Sequence, residues 1–260
     1  AEMLRSRGYY FFKAQNIVYT ADTVKTPGKV QLRIALSDKT LPQAYEPWHV
    51  RSITYNLLDG TGRPLTDSVM YEGVLFRYRD TPPVKLSVLR PRIRIGHGDL
   101  YNLTYQNRTT ALMSYLNTFS YTDVAYAPMD TLNNALSVTL SSMIDKPYFS
   151  ELEATFKAKS NNQVGPGLAF TVNKKNLFRG GELLSLTTGV NYEWETNRRS
   201  GGRSWDINSY QFNLTAALTL PRVYLPWIMN TTYFYPASTR ISLSGELLNR
   251  GEFYRLGQFA

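Results

Sequence analysis

The sequence predicts a mixed α+β region followed by an antiparallel β-sheet whose strands are long enough to cross a bilayer. Three observations predict it. After Lys146-Pro147, apolar and polar residues alternate with period two through five long segments, and no credible helix follows. Aromatic residues are plentiful, with 19 Tyr and 12 Phe in 260 residues, and they gather near the ends of those segments. No stretch approaches the roughly 18–20 consecutive apolar residues of a transmembrane helix. Mean hydropathy is −0.32, the modest value that alternation gives.

From the N-terminus, Met3–Arg7 reads as the end of a helix, stopped by Gly8 at C′. Tyr10–Ala21, rich in Phe, Tyr, Val and Ile, reads as a strand. Thr26-Pro27-Gly28-Lys29 is turn chemistry, and Val30–Leu36 alternates with Val30, Leu32, Ile34 and Leu36 on one face. Leu41–Pro47, with two prolines, reads as a linker. A strand follows at His49–Leu57, a loop at Asp59–Pro64 and one extended segment at Val69–Arg79.

Val84–Ile95 forms a short helix interrupted by Pro91, and Gly96-His97-Gly98-Asp99 breaks the chain. Tyr101–Phe119 is the best helix, free of Gly and Pro, with Leu103, Leu112, Met113, Leu116 and Phe119 near helical spacing. Strands at Thr122–Tyr126 and Ala135–Met143 flank a turn at Pro128-Met129-Asp130. This repeats the helix, strand, turn, strand order of residues 3–36, which indicates a tandem repeat with only the tail of its first copy present.

The second half alternates throughout. Leu152, Ala154, Phe156 and Ala158 oppose Glu151, Glu153, Thr155 and Lys157. Gly167–Asn173 places Leu168, Phe170 and Val172 on one face. Glu182–Glu195 places Leu184, Leu186, Val190, Tyr192 and Trp194 opposite Ser185, Thr187, Asn191, Glu193 and Glu195. Ser209–Leu220 and Ser238–Leu247 repeat the pattern. Several segments reach the roughly 9–11 residues a tilted strand needs to span hydrocarbon. Tyr192, Trp194, Trp205, Tyr210, Tyr224, Trp227, Tyr233, Phe234 and Tyr235 cluster near their ends, as in an aromatic girdle. Thr196–Trp205 reads as a long polar loop, and Leu220–Pro226 as a shorter turn. A soluble β-sandwich also alternates; strand length and aromatic placement favour the membrane wall.

Composition narrows the chemistry. There is no cysteine, which excludes disulfides, thiolate nucleophiles and Cys-based metal sites. The start, Ala1-Glu2-Met3-Leu4-Arg5, lacks the apolar core of a signal peptide, so an exported chain would carry its leader upstream or have lost it. The net charge of +9 is spread evenly: 17 basic against 12 acidic residues over 1–147, and 12 against 8 over 148–260. Diffuse charge is weak evidence for nucleic acid and equally suits anionic lipid.

Site chemistry is sparse. His97 and Asp99 share a glycine-flanked turn without further ligands, so a structural role is expected and no metal or cofactor. Glu151 and Glu153 share one strand face, where solvated lumenal charge is expected rather than a catalytic pair. The glycines at 165, 167, 180 and 181 have no Gly-Lys-Ser/Thr partner and no helix to form a phosphate loop. Arg90, Arg92 and Arg94 form the densest basic patch, expected as a solvated face, with lipid headgroup or acidic-partner contact as the second reading. No residue set supports catalysis.

At Gly165-Pro166-Gly167, Asn176-Leu177-Phe178-Arg179-Gly180-Gly181-Glu182 and Leu184, the chain resembles the second and third barrel strands of the BamA/TamA superfamily of outer-membrane assembly proteins. There an Asn-Leu-Phe-(Gly)-x-Gly-Glu turn joins those strands; here Arg179 replaces the first glycine. Gly98-Asp99-Leu100-Tyr101 and Leu116–Val124 resemble the family's final POTRA (polypeptide-transport-associated) module, and Gly8-Tyr9-Tyr10-Phe11 resembles the same junction in the preceding one. Leu220-Pro221-Arg222-Val223-Tyr224-Leu225-Pro226 is similar to a Pro-rich turn in TamA-like members, to which the chain looks closest. Two features depart from the family. Leu58–Thr81 is longer than a POTRA allows, and the chain supplies about five strands without the loop that bears the Val-Arg-Gly-Phe/Tyr signature.

The resemblance implies POTRA modules followed by an antiparallel transmembrane β-barrel. Residues 1–40 would be the C-terminal part of one module, 41–147 the final module with an insertion at 58–81, and 148–260 the first strands of an incomplete barrel. It implies a non-enzymatic protein of the bacterial outer membrane with periplasmic N-terminal modules, inserting β-barrel proteins by edge-strand templating. The partners would be unfolded outer-membrane proteins, periplasmic or lipoprotein accessory subunits and outer-membrane lipid, not nucleic acid. It assigns substrate-strand pairing to the first barrel strand, Glu151, Leu152, Glu153, Ala154, Thr155, Phe156 and Lys157. The POTRA edge falls on Ser120–Ala127, above all Tyr121, Thr122, Asp123, Val124, Ala125 and Tyr126, with Asn16–Thr20 its counterpart in the earlier module. The family turn is Asn176, Leu177, Phe178, Gly180, Gly181 and Glu182. Two other functions remain: TamA-like translocation or secretion of a dedicated client or lipid, and, from another class, a soluble basic β-rich nucleic-acid-binding protein.

Overall fold

The computed structural model describes residues 1–22, 30–130, 133–160, 163–195, 209–222, 237–250 and 254–260. The chain divides into two compact units, one of residues 1–115 and 119–144, the other of 116–118 and 145–260. The expected turn at Thr26–Lys29 and most of the loops at 196–205 and 220–226 lie outside the described residues. So do Trp205, Tyr224, Trp227, Tyr233, Phe234 and Tyr235.

The first unit opens with the short helix α1 (Glu2–Arg5). Gly8 ends the turn that follows: its φ is +107°, and the Tyr9 N–H reaches back to the Leu4 carbonyl at 3.3 Å. A Cβ at Gly8 would also lie 3.1 Å from the Pro47 and Leu100 side chains, so glycine is needed for space as well as for φ. β1 (Ile17–Asp22) and β2 (Gln31–Leu36) form an antiparallel ribbon. The strand expected from Tyr10 starts only at Ile17. Residues 9–12 turn instead, with the Phe12 N–H on the Tyr9 carbonyl at 3.2 Å, because the Tyr10 and Phe11 rings are drawn into tertiary packing. Tyr19, Leu32, Ile34 and Leu36 share one exposed face of the ribbon.

The rest of this unit is a five-stranded sheet with helices on one face. In chain order it holds β3 (His49–Leu58), β4 (Asp67–Tyr71), β5 (Val74–Tyr78), α2 (Leu86–Leu89), α3 (Leu103–Ser114), β6 (Phe119–Asp130) and β7 (Ala135–Ile144). The spatial order is β4-β5-β3-β7-β6, with β3 parallel to both its neighbours. Period-two alternation puts Ile53, Tyr55 and Leu57 of β3 and Val138 and Leu140 of β7 into the core with Phe76, Leu112 and Met113. The Tyr55 hydroxyl shares a 2.8 Å hydrogen bond with the buried Ser142 hydroxyl, and burial raises its pKa.

Four sequence expectations change here. Val69–Arg79 is a hairpin, not one extended segment. Glu72 (φ +45°) and Gly73 (φ +80°) make a two-residue turn of the primed kind, and Glu-Gly lacks the asparagine or aspartate that advertises one. The long helix runs from Leu103 to Ser114, capped by Asn102 side-chain bonds to the Thr104 and Tyr105 amides. It stops short of Phe119 because Asn117 takes φ +51°. The strand before the last turn continues through Pro128 to Asp130. The arginine patch is not a solvated face: Arg92 is 3% exposed and donates to the Val88 carbonyl, and Arg90 donates to the Glu72 and Ile93 carbonyls. Val84–Ile95 itself becomes α2 plus a 3-10 turn at Arg90–Arg92 around Pro91.

The second unit contains a six-stranded antiparallel sheet: β8 (Tyr148–Ala158), β9 (Gln163–Lys175), β10 (Leu183–Glu195), β11 (Ser209–Leu220), β12 (Thr239–Arg250) and β13 (Tyr254–Phe259). Each strand pairs with its neighbours in sequence. The count is six rather than about five, because β13 is short and Gly257 interrupts its pattern. Register aligns the alternation across the sheet. Leu152 faces Phe170, Leu168 faces Val190, Val190 faces Phe212, Phe212 faces Leu247 and Ala216 faces Leu243. Directly opposed residues share a face, so one side of the sheet is almost wholly apolar. That side is exposed: Leu152 at 71%, Phe156 at 67% and Leu243 at 69%.

Candidate functional site

Edges are where a sheet can still bond another chain, because their N–H and C=O groups lack partners. Among the described residues β8 pairs only with β9, and β6 only with β7, so both strands singled out in the sequence are edges there. β4 is the edge opposite β6, which sequence reading missed together with its hairpin.

Along β8, Leu152, Ala154 and Phe156 lie on the apolar face, and Glu151, Glu153, Thr155 and Lys157 on the polar one. The polar face is stitched across strands. Lys157 Nζ donates to Asn191 Oδ1 at 3.4 Å, Asn191 Nδ2 to Gln211 Oε1 at 3.4 Å, and Gln211 Nε2 to Glu246 Oε1 at 2.8 Å. Lys159 pairs with Glu193 at 2.6 Å, and the Thr171 and Thr187 hydroxyls meet at 3.1 Å. A cavity of about 190 Å³ on this face is lined by Lys159, Asn191, Glu193, Ser209, Gln211, Leu248 and Arg250.

The two ends of β8 differ in chemistry. At one end Lys174 lies over the Tyr148 ring at 5.3 Å, Lys175 over Phe149 at 5.1 Å, and Lys175 pairs with Asp145 at 2.5 Å. The Lys175 hydrogen bond, with the Lys146 N–H, holds the Asp145 carboxyl below the usual range. At the other end Trp194 packs against Phe156 and Tyr192, at 6.4 and 5.7 Å between ring centroids.

β6 is a restricted edge. Tyr121 is 49% exposed and Asp123 and Ala125 are also exposed, whereas Val124 is buried and Thr122 bonds Ser142 at 2.7 Å. Tyr126 is not available in the same way. Its carbonyl accepts the Tyr10 hydroxyl at 3.2 Å, and its ring packs edge-on against Tyr101 at 5.0 Å. Burial raises the pKa of both the Tyr126 and Tyr101 hydroxyls. Trp48, Tyr101 and Leu136 form the buried centre of this cluster, with Tyr10, Phe11, Leu103 and Tyr126 around it. Arg5 adds a 2.7 Å bond to the Tyr101 hydroxyl. The pairing of β6 is also irregular near both ends, after Phe119 and after Pro128. Asn16–Thr20, the counterpart strand, covers the last residue of a 3-10 turn and the start of β1.

The turn between β9 and β10 is built on one buried carboxylate. Glu182, 8% exposed, accepts the Phe178 and Gly180 amides at 3.1 and 3.0 Å. Asn176 Oδ1 accepts the Gly181 amide at 3.0 Å, and the Asn176 amide donates to the Glu182 carbonyl at 2.6 Å. A Cβ at Gly180 would lie 2.1 Å from the Glu182 carboxylate, so a side chain there would displace that carboxylate from the amides it accepts. Arg179, where the resembling family has glycine, takes φ +62°. Leu177 is half-buried and Phe178 is 58% exposed.

Among the described residues no group of three His, Asp or Glu side chains is placed to hold a metal. Asp99 caps its own turn by accepting the Gly96 amide at 2.8 Å.

No family model matches the chain, and no curated protein matches it. Solved structures do. The crystal structure of BamA from Haemophilus ducreyi lacking POTRA domains 1–3 aligns with all of this chain and 49% of its own, at TM-score 0.45 and 10% identity. CdiB from Acinetobacter baumannii aligns with 96% of this chain and 35% of its own, at TM-score 0.46 and 11% identity. The chain therefore spans half or less of the length of either protein, and its similarity to both is distant.

Proposed function

We propose that the chain is part of an outer-membrane machine that inserts β-barrel proteins, with β8 as the templating strand. The observation that carries this reading is the continuous apolar face of the six-stranded sheet, which ends at an unpaired edge. An apolar face this large, left uncovered by the described residues, suits hydrocarbon rather than water. The Lys174–Tyr148 pair and the Tyr192, Trp194 and Tyr210 group then mark the two interfaces, where aromatic rings and lysines settle.

A nascent barrel strand enters hydrocarbon with unpaired N–H and C=O groups, at a cost of several kcal/mol each. β8 presents such groups in the same plane, so pairing satisfies both sides. β6, over Tyr121–Ala125, offers an aqueous edge for a client still in the periplasm. Its module and the accessory subunits deliver the client, and outer-membrane lipid covers the apolar face. The exposed face also weighs against the nucleic-acid reading. The basic residues do so too, since Arg90 and Arg92 are spent on backbone carbonyls and Lys157, Lys159 and Lys175 on polar-face or acidic partners.

The test is proline in the edge. Successive residues send their amides to opposite sides of a strand, so prolines at Ala154 and at Thr155, made separately, cover both rows. In the full-length protein, the substitution whose amide points outward is expected to abolish insertion of client barrels into liposomes while the rest of the protein folds. Normal insertion by both variants overturns the reading. Loss of one client with all others assembled normally replaces it with the dedicated-client reading.

A further inference from the structure

The β9–β10 ladder has one gap. Pairing runs from Leu183 opposite Lys175 to Asn191 opposite Gly167 and resumes at Trp194 opposite Val164, leaving Tyr192 and Glu193 without ladder partners in β9. The residues that would face them are Pro166 and Gly165. Proline has no N–H to donate. The Tyr192 carbonyl lies over Gly165 instead, so close that a Cβ there would be 1.7 Å from it. β8 passes the same level with its own pairing intact, Phe156 opposite Pro166 and Lys157 opposite Gly165.

At this level side chains hold the β8–β9 hairpin to the rest of the sheet. Lys159 reaches Glu193 at 2.6 Å and Lys157 reaches Asn191 at 3.4 Å, each spanning β9 to reach β10. They can do so because Gly165 and Gly167 place no side chain beneath them. A Cβ at Gly167 would lie 2.3 Å from Asn191 Oδ1 and 2.7 Å from Thr155 Oγ1. The anchor is firm: Glu193 is 9% exposed.

We infer that Lys157 and Lys159 are positioning residues for the β8 edge, latching the far end of the β8–β9 hairpin to β10 across a hinge at Gly165-Pro166-Gly167. With the latch closed, β8 keeps the twist of the sheet. With it open, the end of the hairpin turns about the hinge, restrained by the two ladder pairs beyond the gap and by the Phe156–Trp194 ring contact on the apolar face. The opening line lies one strand inside the edge, so the angle at which β8 meets an added strand is set from the polar face. The role of that angle rests on the templating reading; the latch itself does not.

The test is hydrogen–deuterium exchange on the full-length protein in nanodiscs of phosphatidylethanolamine and phosphatidylglycerol. Lys159→Glu and Glu193→Lys are each expected to speed exchange at residues 155–167 about three- to tenfold, with residues 183–190 unchanged. The double swap restores the pair and the protection. Pro166→Ala, which returns a donor to the gap, slows exchange at the same amides. Single reversals that leave exchange unchanged, or a folded double swap that stays unprotected, overturn the inference. No client is present, so this outcome is independent of the proline test.

Discussion

The two sheets obey one alternation rule with opposite results. In β7, Leu136, Val138 and Leu140 are at most 1% exposed, buried in the core. In the six-stranded sheet the matching apolar positions are open, with Leu214 at 44%, Ile241 at 59% and Leu243 at 69%. Its satisfied side is the polar one, where lysine, asparagine, glutamine and glutamate bond across strands. The first sheet is stabilised by what it hides from water. The second is organised by polar bonds on one face and needs an apolar medium on the other. Alternation therefore reports that a sheet has two faces, but not which face looks inward.

Three substitutions test the contrast. Leu140→Ala removes a fully buried side chain and is expected to cost about 2–5 kcal/mol. Urea unfolding, read from Trp48 after Trp194, Trp205 and Trp227 are each replaced by phenylalanine, measures it. Leu243→Ala is the control, expected within about 0.5 kcal/mol; equal losses at both sites would erase the distinction. Leu214→Arg places charge midway between the two aromatic levels. In a bilayer it is expected to cost about 2–4 kcal/mol, against little for an exposed residue in water. Refolding yields into lipid vesicles decide between these. Two further substitutions concern the turn. Glu182→Ala leaves two amides without their acceptor and is expected to cost about 1–3 kcal/mol. Arg179→Gly relieves a left-handed residue and is expected to gain about 1 kcal/mol. Thermal unfolding of the pair reads both signs, and a destabilising Arg179→Gly would show that the arginine side chain outweighs its backbone strain.

Much of the second sheet was legible in the sequence. Ser209–Leu220 was delimited to the residue, because twelve residues of alternation, broken only at Ala217, leave little competition for the period. The first unit was harder. Tyr10 and Phe11 have strand propensity, yet Trp48 and Tyr101, far away in sequence, pull them into a turn. Arg90 and Arg92 read as part of a solvated patch because carbonyl partners such as that of Glu72 become neighbours only after folding. The candidate site divides the same way. That β8 and β6 are edges was expected from resemblance alone. The Tyr10 hydroxyl on the Tyr126 carbonyl and the lysine bonds over β9 depend on register and tertiary packing, which a strand's own residues do not encode.

The Glu182-capped turn also bears on the order of folding. Every pairing in the six-stranded sheet joins strands adjacent in sequence, whereas the first sheet must bring Thr54 beside Thr139 before β3 and β7 can bond. Closing short loops costs less entropy than closing long ones. A turn that satisfies its own amides can form before any strand beyond it, so β9 and β10 can zip outward from Asn176 and Glu182 and recruit neighbours one at a time. The sheet would then grow by the same act, strand adding to edge, that it is proposed to perform on its clients.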